Sequence, residues 1–290
     1  MNIKQSKTSS IIILNLSVAL FGFAGLFGKW IELPALGITF GRVFFSSLSL
    51  GLFMMVTRQS FRLDTKNDAL RMVLAGVIVA IHWWSIFKSI QLSTVAIGTI
   101  TFSTFPLFVT FLEPLVYHEK LKAKNVLIAI VILIGVIITV PEFSFENNIF
   151  KGILIGMISP LAYSVLTLMN KGFGEKYNAT KISFYEQSVA ALVLMFFVFS
   201  ADIHPTARDI GLLVIFGVVT TAIAHTLFIS CLKYVPAQLA GVCSSMETVY
   251  AIIFAMIFIG EMPYPREIIG AAIILSAVIY AQFTEVKERR

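Results

Sequence analysis

The feature that most constrains this sequence is a series of apolar runs, each about as long as a bilayer is thick. A hydrocarbon core of about 30 Å requires roughly 20 apolar residues of helix. Ten such runs are predicted, at about 10–28, 38–57, 70–90, 95–117, 124–140, 152–170, 181–200, 209–230, 237–259 and 267–283. The connections between them are short and leave no room for a separate soluble domain. The chain is therefore predicted to be an all-α membrane protein with ten transmembrane helices, and its expected surroundings are a lipid bilayer.

The composition excludes several classes of function. Hydrophobic residues make up 58% of the chain and charged residues only 13%, whereas soluble domains carry about 25% charged residues. This shortfall argues against a cytosolic enzyme, a nucleic-acid-binding module and a disordered chain, so no nucleic-acid partner is expected. The two cysteines, Cys231 and Cys243, are too few for a disulfide framework and fit no zinc pattern. Neither a metal nor a cofactor is expected.

The basic residues predict the orientation in the membrane. Lysines and arginines that flank spans are retained on the cytoplasmic side. When the N-terminus is placed inside and ten spans alternate, sixteen lysines and arginines fall on the inner side and four on the outer side. This bias explains the net charge of +6 without a basic partner surface. Short N- and C-terminal tails, both cytoplasmic, are expected.

The two halves of the sequence repeat without a gap. Lys29 and Lys171 each follow the first span of a half, and Glu119 and Glu261 each close a fourth span. Both pairs are 142 residues apart. Because each half holds five spans, an odd number, the second half must enter the membrane from the opposite side. Such inverted repeats are typical of secondary transporters, in which two equivalent conformations open one central site to either side.

The fourth and ninth spans carry a resemblance to a known family. They read SIQLSTVAIGTITFSTFPLFVTFLEPLVYHEKL from Ser89 to Leu121 and CLKYVPAQLAGVCSSMETVYAIIFAMIFIGEMP from Cys231 to Pro263. In these residues the chain resembles the drug/metabolite transporter superfamily, specifically its EamA-type transporters. The resemblance implies two five-helix repeats, at 8–141 and 150–284. It also implies export of a small metabolite across a bacterial inner membrane.

Ionisable residues near the centre of a span are the first candidates for a substrate site, because polar groups are costly in lipid. His82, His225 and Glu247 lie near the centres of the third, eighth and ninth spans. Two interpretations stay open. They form internal hydrogen bonds that fix helix packing, such as His225 to Glu247, or they line a central cavity. In a cavity, Glu247 would attract a cationic group or carry a proton, and either histidine could couple transport to protons.

Small polar residues recur at helical spacing around these positions. Thr101 and Thr104 share one face of span 4, and Ser244 and Glu247 share one face of span 9. A cavity and a close helix contact both explain such faces.

The repeat adds a contrast between the halves, because Trp83 occupies the position of His225 and Phe105 that of Glu247. A substrate with an apolar or aromatic part and a cationic part would suit such a site, as an amino-acid-like metabolite or an organic cation does. The predicted substrate-binding residues are His82, Trp83, Thr101, Thr104, Phe105, His225, Ser244 and Glu247.

Other charged residues are interpreted as structural. Five of them lie within about two turns of a span end, from which side chains can reach the interface: Lys29, Arg42, Lys88, Glu113 and Glu186. Glu119 and Glu261, at span ends, are interpreted as caps or braces of adjoining helices.

The main functional hypothesis is a secondary transporter that works by alternating access. An intramembrane enzyme would be expected to carry a motif such as HExxH or GxSxG, and neither occurs. A non-transporting membrane protein gives no reason for an inverted repeat with buried ionisable residues. No GxxxxGK[ST] loop is present, so ATP does not drive the process through this chain. Proton coupling and a homodimer formed through exposed spans both stay open.

Overall fold

The computed structural model describes residues 7–117, 123–235 and 237–288, and all regular structure in these ranges is helical. The helices are α1 (Lys7–Trp30), α2 (Ala35–Val56), α3 (Lys66–Leu92), α4 (Val95–Phe102), α5 (Phe105–Tyr117), α6 (Ala123–Thr139), α7 (Asn148–Gly156), α8 (Ile158–Phe173), α9 (Ala179–Ser200), α10 (Ala207–Ile215), a π-helical segment (Phe216–Ile223), α11 (Ala224–Leu232), α12 (Ala237–Ile259) and α13 (Pro265–Glu288).

Seven crossings in the described part of the chain are long and apolar enough to span a bilayer. They are α1, α2, α3, the α4–α5 pair, the α7–α8 pair, α9, and the run from α10 to α11. The apolar stretches of α6 and α12 are shorter, Val126–Thr139 and Cys243–Ile259. Exposed apolar side chains such as Leu52, Phe196 and Ile257 cover the outside of the bundle, a surface suited to lipid rather than water. The chain is a multi-pass membrane protein, and the number of ten spans stays a prediction.

Two of the crossings are interrupted. The first break separates α4 from α5 and the second separates α7 from α8. Pro106 and Pro160 lie in the first turn of α5 and α8. In a first turn the backbone N–H has no partner within the helix, so proline costs no hydrogen bond there. The prolines therefore lie where new helices begin instead of kinking continuous ones.

Helices from the N-terminal half of the chain pack between helices from the C-terminal half. α1 packs against α12, and α5 packs against α8. α2 lies against α9 and the π-helical segment, α3 lies against α8 and α9, and α6 pairs with α13. The largest apolar core lies between these helices except α6 and α13, which contribute to a second, smaller core. This arrangement brings polar side chains that are far apart in sequence to one place in the bundle.

Candidate functional site

Six ionisable side chains meet in the core of the bundle, together with several aromatic rings. None of the six is more than 6% exposed, and each comes from a different helix. They are Arg42 of α2, His82 of α3, Tyr163 of α8, Glu186 of α9, His225 of α11 and Glu247 of α12. These six residues are called the central cluster below. Because no helix supplies two of them, the cluster exists only in the assembled bundle.

The guanidinium of Arg42 lies against aromatic rings. Its Cζ is 3.4 Å from the ring centroid of Trp83 and 4.2 Å from that of Phe216. Its Nε donates to Thr221 Oγ1 at 3.0 Å, whereas Nη1 and Nη2 have no hydrogen-bond partner among the described residues. Ring contacts engage the face of a guanidinium but not its in-plane N–H groups. Arg42 therefore keeps donor capacity in a buried position.

The π-helical segment supplies two of these contacts. Phe216 begins the segment, and Thr221 Oγ1 donates to the Phe216 carbonyl, five residues earlier, at 3.1 Å. The wider turn of a π-helix brings residues at this spacing together. Gly217 allows the segment to touch α2, because a Cβ at this position would lie 2.8 Å from the Arg42 carbonyl oxygen. The segment thus places both a ring and a hydroxyl beside Arg42.

His82 is held by α8. Its Nδ1 lies 2.8 Å from Ser159 Oγ and 3.2 Å from the Ser159 carbonyl oxygen. Its ring stacks on Tyr163, with 4.6 Å between ring centroids, and lies 4.3 Å from the ring of Trp83. In the described part of the chain, His82 Nε2, the Tyr163 hydroxyl and Trp83 Nε1 are buried without a partner. The aromatic part of the site therefore also holds unused polar atoms.

His225 and Glu186 form a completely buried pair. His225 Nε2 lies 2.7 Å from Glu186 Oε2. The hydrogen bond from His225 to Glu247, given as an example of the packing interpretation, is therefore wrong in its partner, because Glu186 takes that place. The physical reason is that α11 lies along α9, which presents Glu186 to the imidazole. The other ring nitrogen, His225 Nδ1, and Glu186 Oε1 have no partner within the described ranges.

The expectation that Arg42 and Glu186 reach the membrane interface is also wrong, because both are fully buried. Each is the eighth residue of its helix, about 10 Å along the axis. α2 and α9 pack on each other, so both side chains turn into the bundle. A signal was present in the sequence: Thr39, Arg42 and Ser46 form one polar stripe at helical spacing, and all three are buried.

Two further carboxylates serve helix contacts. Glu113 does not reach the interface either; it is buried, and its Oε1 accepts a hydrogen bond from Lys171 Nζ at 3.1 Å. Glu261 Oε1 accepts from the first two N–H groups of α4, at 2.7 and 3.3 Å. This confirms the capping role expected for Glu261. Glu119 lies outside the described residues.

The hydroxyl residues predicted for the site form local hydrogen bonds, Thr101 and Ser244 within their helices and Thr104 in the turn between α4 and α5. Thr101, Thr104 and Ser244 each donate to a carbonyl three or four residues earlier, at 2.7, 2.7 and 2.9 Å. Thr101 also faces α7 closely, since a Cβ on Gly156 would lie 2.6 Å from its Oγ1. All three hydroxyls thus have local partners, and their contact with a substrate stays a prediction.

Phe105 and Glu247 both lie in the core. The buried Phe105 ring is 5.1 Å from Tyr163 and 5.9 Å from Phe102, measured between centroids. Glu247 accepts no hydrogen bond from the described residues, but it interacts electrostatically with Arg42. The two are not within ion-pair distance. A buried carboxylate and a buried guanidinium thus lie in one cluster without neutralising each other directly.

The chemistry of the central cluster suits ligand binding. It offers one guanidinium, two carboxylates, two imidazoles and a phenol, beside aromatic rings. The described residues contain no group of three His, Cys, Asp or Glu side chains that could hold a metal ion. Ionisable groups inside membrane bundles mark substrate and ion pathways, because lipid makes them costly to keep. A helical membrane bundle with such a centre is typical of transport proteins.

Comparison with known sequences identifies the family. The EamA-like transporter family matches residues 8–140 and 150–281. The chain belongs to this family, which agrees with its resemblance to the drug/metabolite transporter superfamily.

Proteins similar over most of their length are named as transporters. An uncharacterized transporter of Archaeoglobus fulgidus is 28% identical over 267 residues, covering 92% of this chain and 93% of that protein. The uncharacterized transporter YxxF of Bacillus subtilis strain 168 is 22% identical over 280 residues, with coverages of 94% and 89%. An S-adenosylmethionine uptake transporter of Rickettsia bellii is 24% identical over 256 residues, with coverages of 88% and 86%. A membrane transporter is the function these relatives share by name.

A solved crystal structure shares the fold. It superposes with a TM-score of 0.71 at 17% sequence identity, and covers 96% of this chain and 99% of its own. The arrangement of helices is therefore one that has been observed experimentally.

Proposed function

We propose that the protein is a secondary transporter that binds a small amphipathic metabolite at the central cluster and carries it across the membrane by alternating access. The observation that carries this proposal is the concentration, at one place, of ionisable side chains with buried polar atoms that lack a partner among the described residues; they are Arg42, His82, Tyr163, Glu186 and His225. Polar groups that only brace a fold are almost always hydrogen-bonded when buried. Unpartnered groups from five helices, gathered in one place, are better explained by a ligand that completes them.

The surroundings of the cluster favour a substrate with two unlike parts. Trp83, Phe102 and Phe105 provide an aromatic wall, and Glu247 provides a carboxylate that attracts a cationic group. An amino-acid-like metabolite or an organic cation has both parts. S-adenosylmethionine, named as the substrate of the Rickettsia relatives, combines an aromatic base with cationic groups and is a candidate of this kind.

The pattern of helix contacts supports two inverted repeats, at 8–141 and 150–284. Exchanging the two halves turns the α1–α12 contact into the α8–α5 contact. The same exchange turns the α3–α9 contact into that of the π-helical segment with α2, while the α2–α9 and α6–α13 contacts map onto themselves. A twofold axis between the halves produces this pattern. With five spans predicted in each half the axis lies in the membrane plane, the symmetry that underlies alternating access. In this proposal both termini lie in the cytoplasm.

Proton coupling through the Glu186–His225 pair is part of the proposal. A histidine can change its charge near neutral pH, and this pair is buried at the centre of the bundle. The proposed direction is export across the inner membrane. Uptake, which the names of the Rickettsia relatives state for those proteins, is the other direction that the same assay would detect.

The experiment is transport in proteoliposomes. Wild-type protein and the Glu247→Gln variant are reconstituted in both orientations, and flux is measured for S-adenosylmethionine, amino acids, polyamines and organic cations, with and without an imposed pH gradient. Replacing the carboxyl group of Glu247 by an amide is expected to lower flux by about tenfold or more, because a hydrogen bond between this group and the cationic part of a bound substrate contributes about 1.5–3 kcal/mol.

The matched control is Glu32→Gln. Glu32 is exposed and pairs with Arg208 at 3.0 Å, and a surface pair contributes less than about 1 kcal/mol, so its flux should equal that of wild type. Equal flux for wild type and Glu247→Gln, at equal protein amounts, would reject the site. Conversion of a bound compound into a product would instead support an intramembrane enzyme. Flux that ignores the pH gradient would remove the proton-coupling part alone.

A further inference from the structure

We infer that Arg42 forms an anion subsite, so that the substrate carries a carboxylate in addition to its amine. This inference rests on the proposed function, since it assigns one more part of the same substrate to one more part of the same site. It narrows the substrate class from amines in general to zwitterions of the amino-acid type.

Among the described residues, no hydrogen-bond acceptor meets the two terminal nitrogens of Arg42. The guanidinium face is occupied by Trp83 and Phe216, and Nε is occupied by Thr221. Nη1 and Nη2 together carry four N–H donors, and neither nitrogen has an acceptor among the described residues. A carboxylate matches these donors with two parallel hydrogen bonds, the strongest arrangement available to arginine.

The protein's own carboxylates do not fill this role. Glu186 is engaged with His225 at 2.7 Å. Glu247 attracts Arg42 electrostatically without forming an ion pair with it. Arg42 and Glu247 lie in one buried cluster without a direct ion pair between them in the described part of the chain. A zwitterion complements both when its carboxylate meets Arg42 and its ammonium meets Glu247.

The charges also disfavour the other ligand classes. A simple organic cation would satisfy Glu247 but would leave the donors of Arg42 unpartnered in a medium of low dielectric constant, where this is most costly. A phosphate dianion would match Arg42, but it would bring two charges toward a cluster that already holds Glu186 and Glu247. A zwitterion leaves the total charge of the cluster unchanged.

The test uses pairs of compounds that differ only in the carboxylate. The pairs are S-adenosylmethionine and its decarboxylated form, phenylalanine and phenethylamine, and methionine and 3-(methylthio)propylamine. Dissociation constants are measured on the purified full-length protein by calorimetry. In wild type, the acid of at least one pair is expected to bind about tenfold or more tightly than its amine, as a charge-assisted hydrogen bond predicts.

Three variants locate the preference. Arg42→Gln should bring the acid and its amine to within about twofold of each other, since the paired N–H donors and the charge are gone. Arg42→Lys should keep part of the preference, because lysine offers the charge without the planar fork. Arg208→Gln, which removes an exposed guanidinium, should leave the ratio at the wild-type value. The ratio of the dissociation constants of the amine and the acid is measured within one protein sample, so a difference between variants in the fraction of folded protein does not affect it.

The outcomes separate this inference from the proposed function. If wild type binds and transports the amines as well as the acids, and Glu247→Gln impairs both, the proposed function stands and the anion subsite is rejected. An acid preference that survives in Arg42→Gln also rejects the subsite. If Arg42→Gln does not fold, an undiminished preference in Arg42→Lys rejects the bidentate contact. If no compound binds wild type, both proposals fail.

Discussion

Two sets of buried polar side chains in this bundle differ in how their hydrogen bonds are met. The hydroxyls of Thr101 and Ser244 donate to carbonyls of their own helices, and the hydroxyl of Thr104, between α4 and α5, donates to the nearby Thr101 carbonyl. Arg42 and His225, by contrast, make contacts only between helices and keep polar atoms without partners in the described ranges. A hydroxyl can bond back to its own helix, whereas an ionised group needs a partner from elsewhere. Incomplete bonding between helices therefore makes Arg42 and His225 stronger candidates for the proposed site than the three hydroxyls.

The largest effect on stability is expected at the Glu186–His225 pair. Glu186→Leu and His225→Leu should each lower the free energy of unfolding by about 3 kcal/mol, because each leaves a buried polar partner alone. The double variant should recover much of this loss, since it removes both groups together. Melting temperatures of the three purified variants in one detergent give the comparison.

A double variant whose loss equals the sum of the two single losses would show that the pair is not coupled. The two side chains would then belong with the hydroxyls in the comparison above, as groups whose bonding is met independently.

An intermediate effect is expected at Thr221. Thr221→Val removes the hydrogen bond to Arg42 Nε and should cost about 1–3 kcal/mol, the penalty for a buried donor left unsatisfied. The adjacent Thr220 is a matched control, because it is also buried and donates only to the Phe216 carbonyl, at 2.9 Å. Thr220→Val should cost less than about 1 kcal/mol. Equal melting temperatures for the two valine variants would contradict an organising role of Thr221 at Arg42.

The smallest effect is expected at the helix-bonded hydroxyls. Thr101→Val keeps the shape of the side chain and removes a bond that stays within α4, so stability should change by less than about 1 kcal/mol. Transport should stay within about twofold of wild type, as measured in proteoliposomes. A fall of tenfold at normal protein levels would instead support Thr101 as a substrate-binding residue, as the sequence pattern predicts.

The sequence was a good guide to where helices lie along the chain and a poor guide to how they are rotated. Apolar length predicts a membrane helix because lipid leaves little choice of backbone structure. The depth inferred for Arg42 and Glu186 was sound, but depth does not determine which way a side chain points. The direction of these side chains depends on the packing of α2 against α9. The spacing of polar residues along one helix indicates a buried face but does not identify the helix that covers it. His82, His225 and Glu247 were recognised as deep because any direction from mid-span leads to protein or lipid.

The π-helical segment has a consequence for the angular phase of the helix that follows it. Each residue of an α-helix advances by about 100° around the axis, and a π turn inserts extra chain into that rotation. His225 lies two residues after the segment ends at Ile223. Converting Phe216–Ile223 into a regular α-helix of the same length, with no residue deleted, would rotate the imidazole away from Glu186 by about 100°, because each residue would then turn further around the axis. The hydropathy of the segment and its capacity to enter the membrane would hardly change. The contacts at the centre of this bundle therefore depend on the helical phase as well as on the identity of the residues.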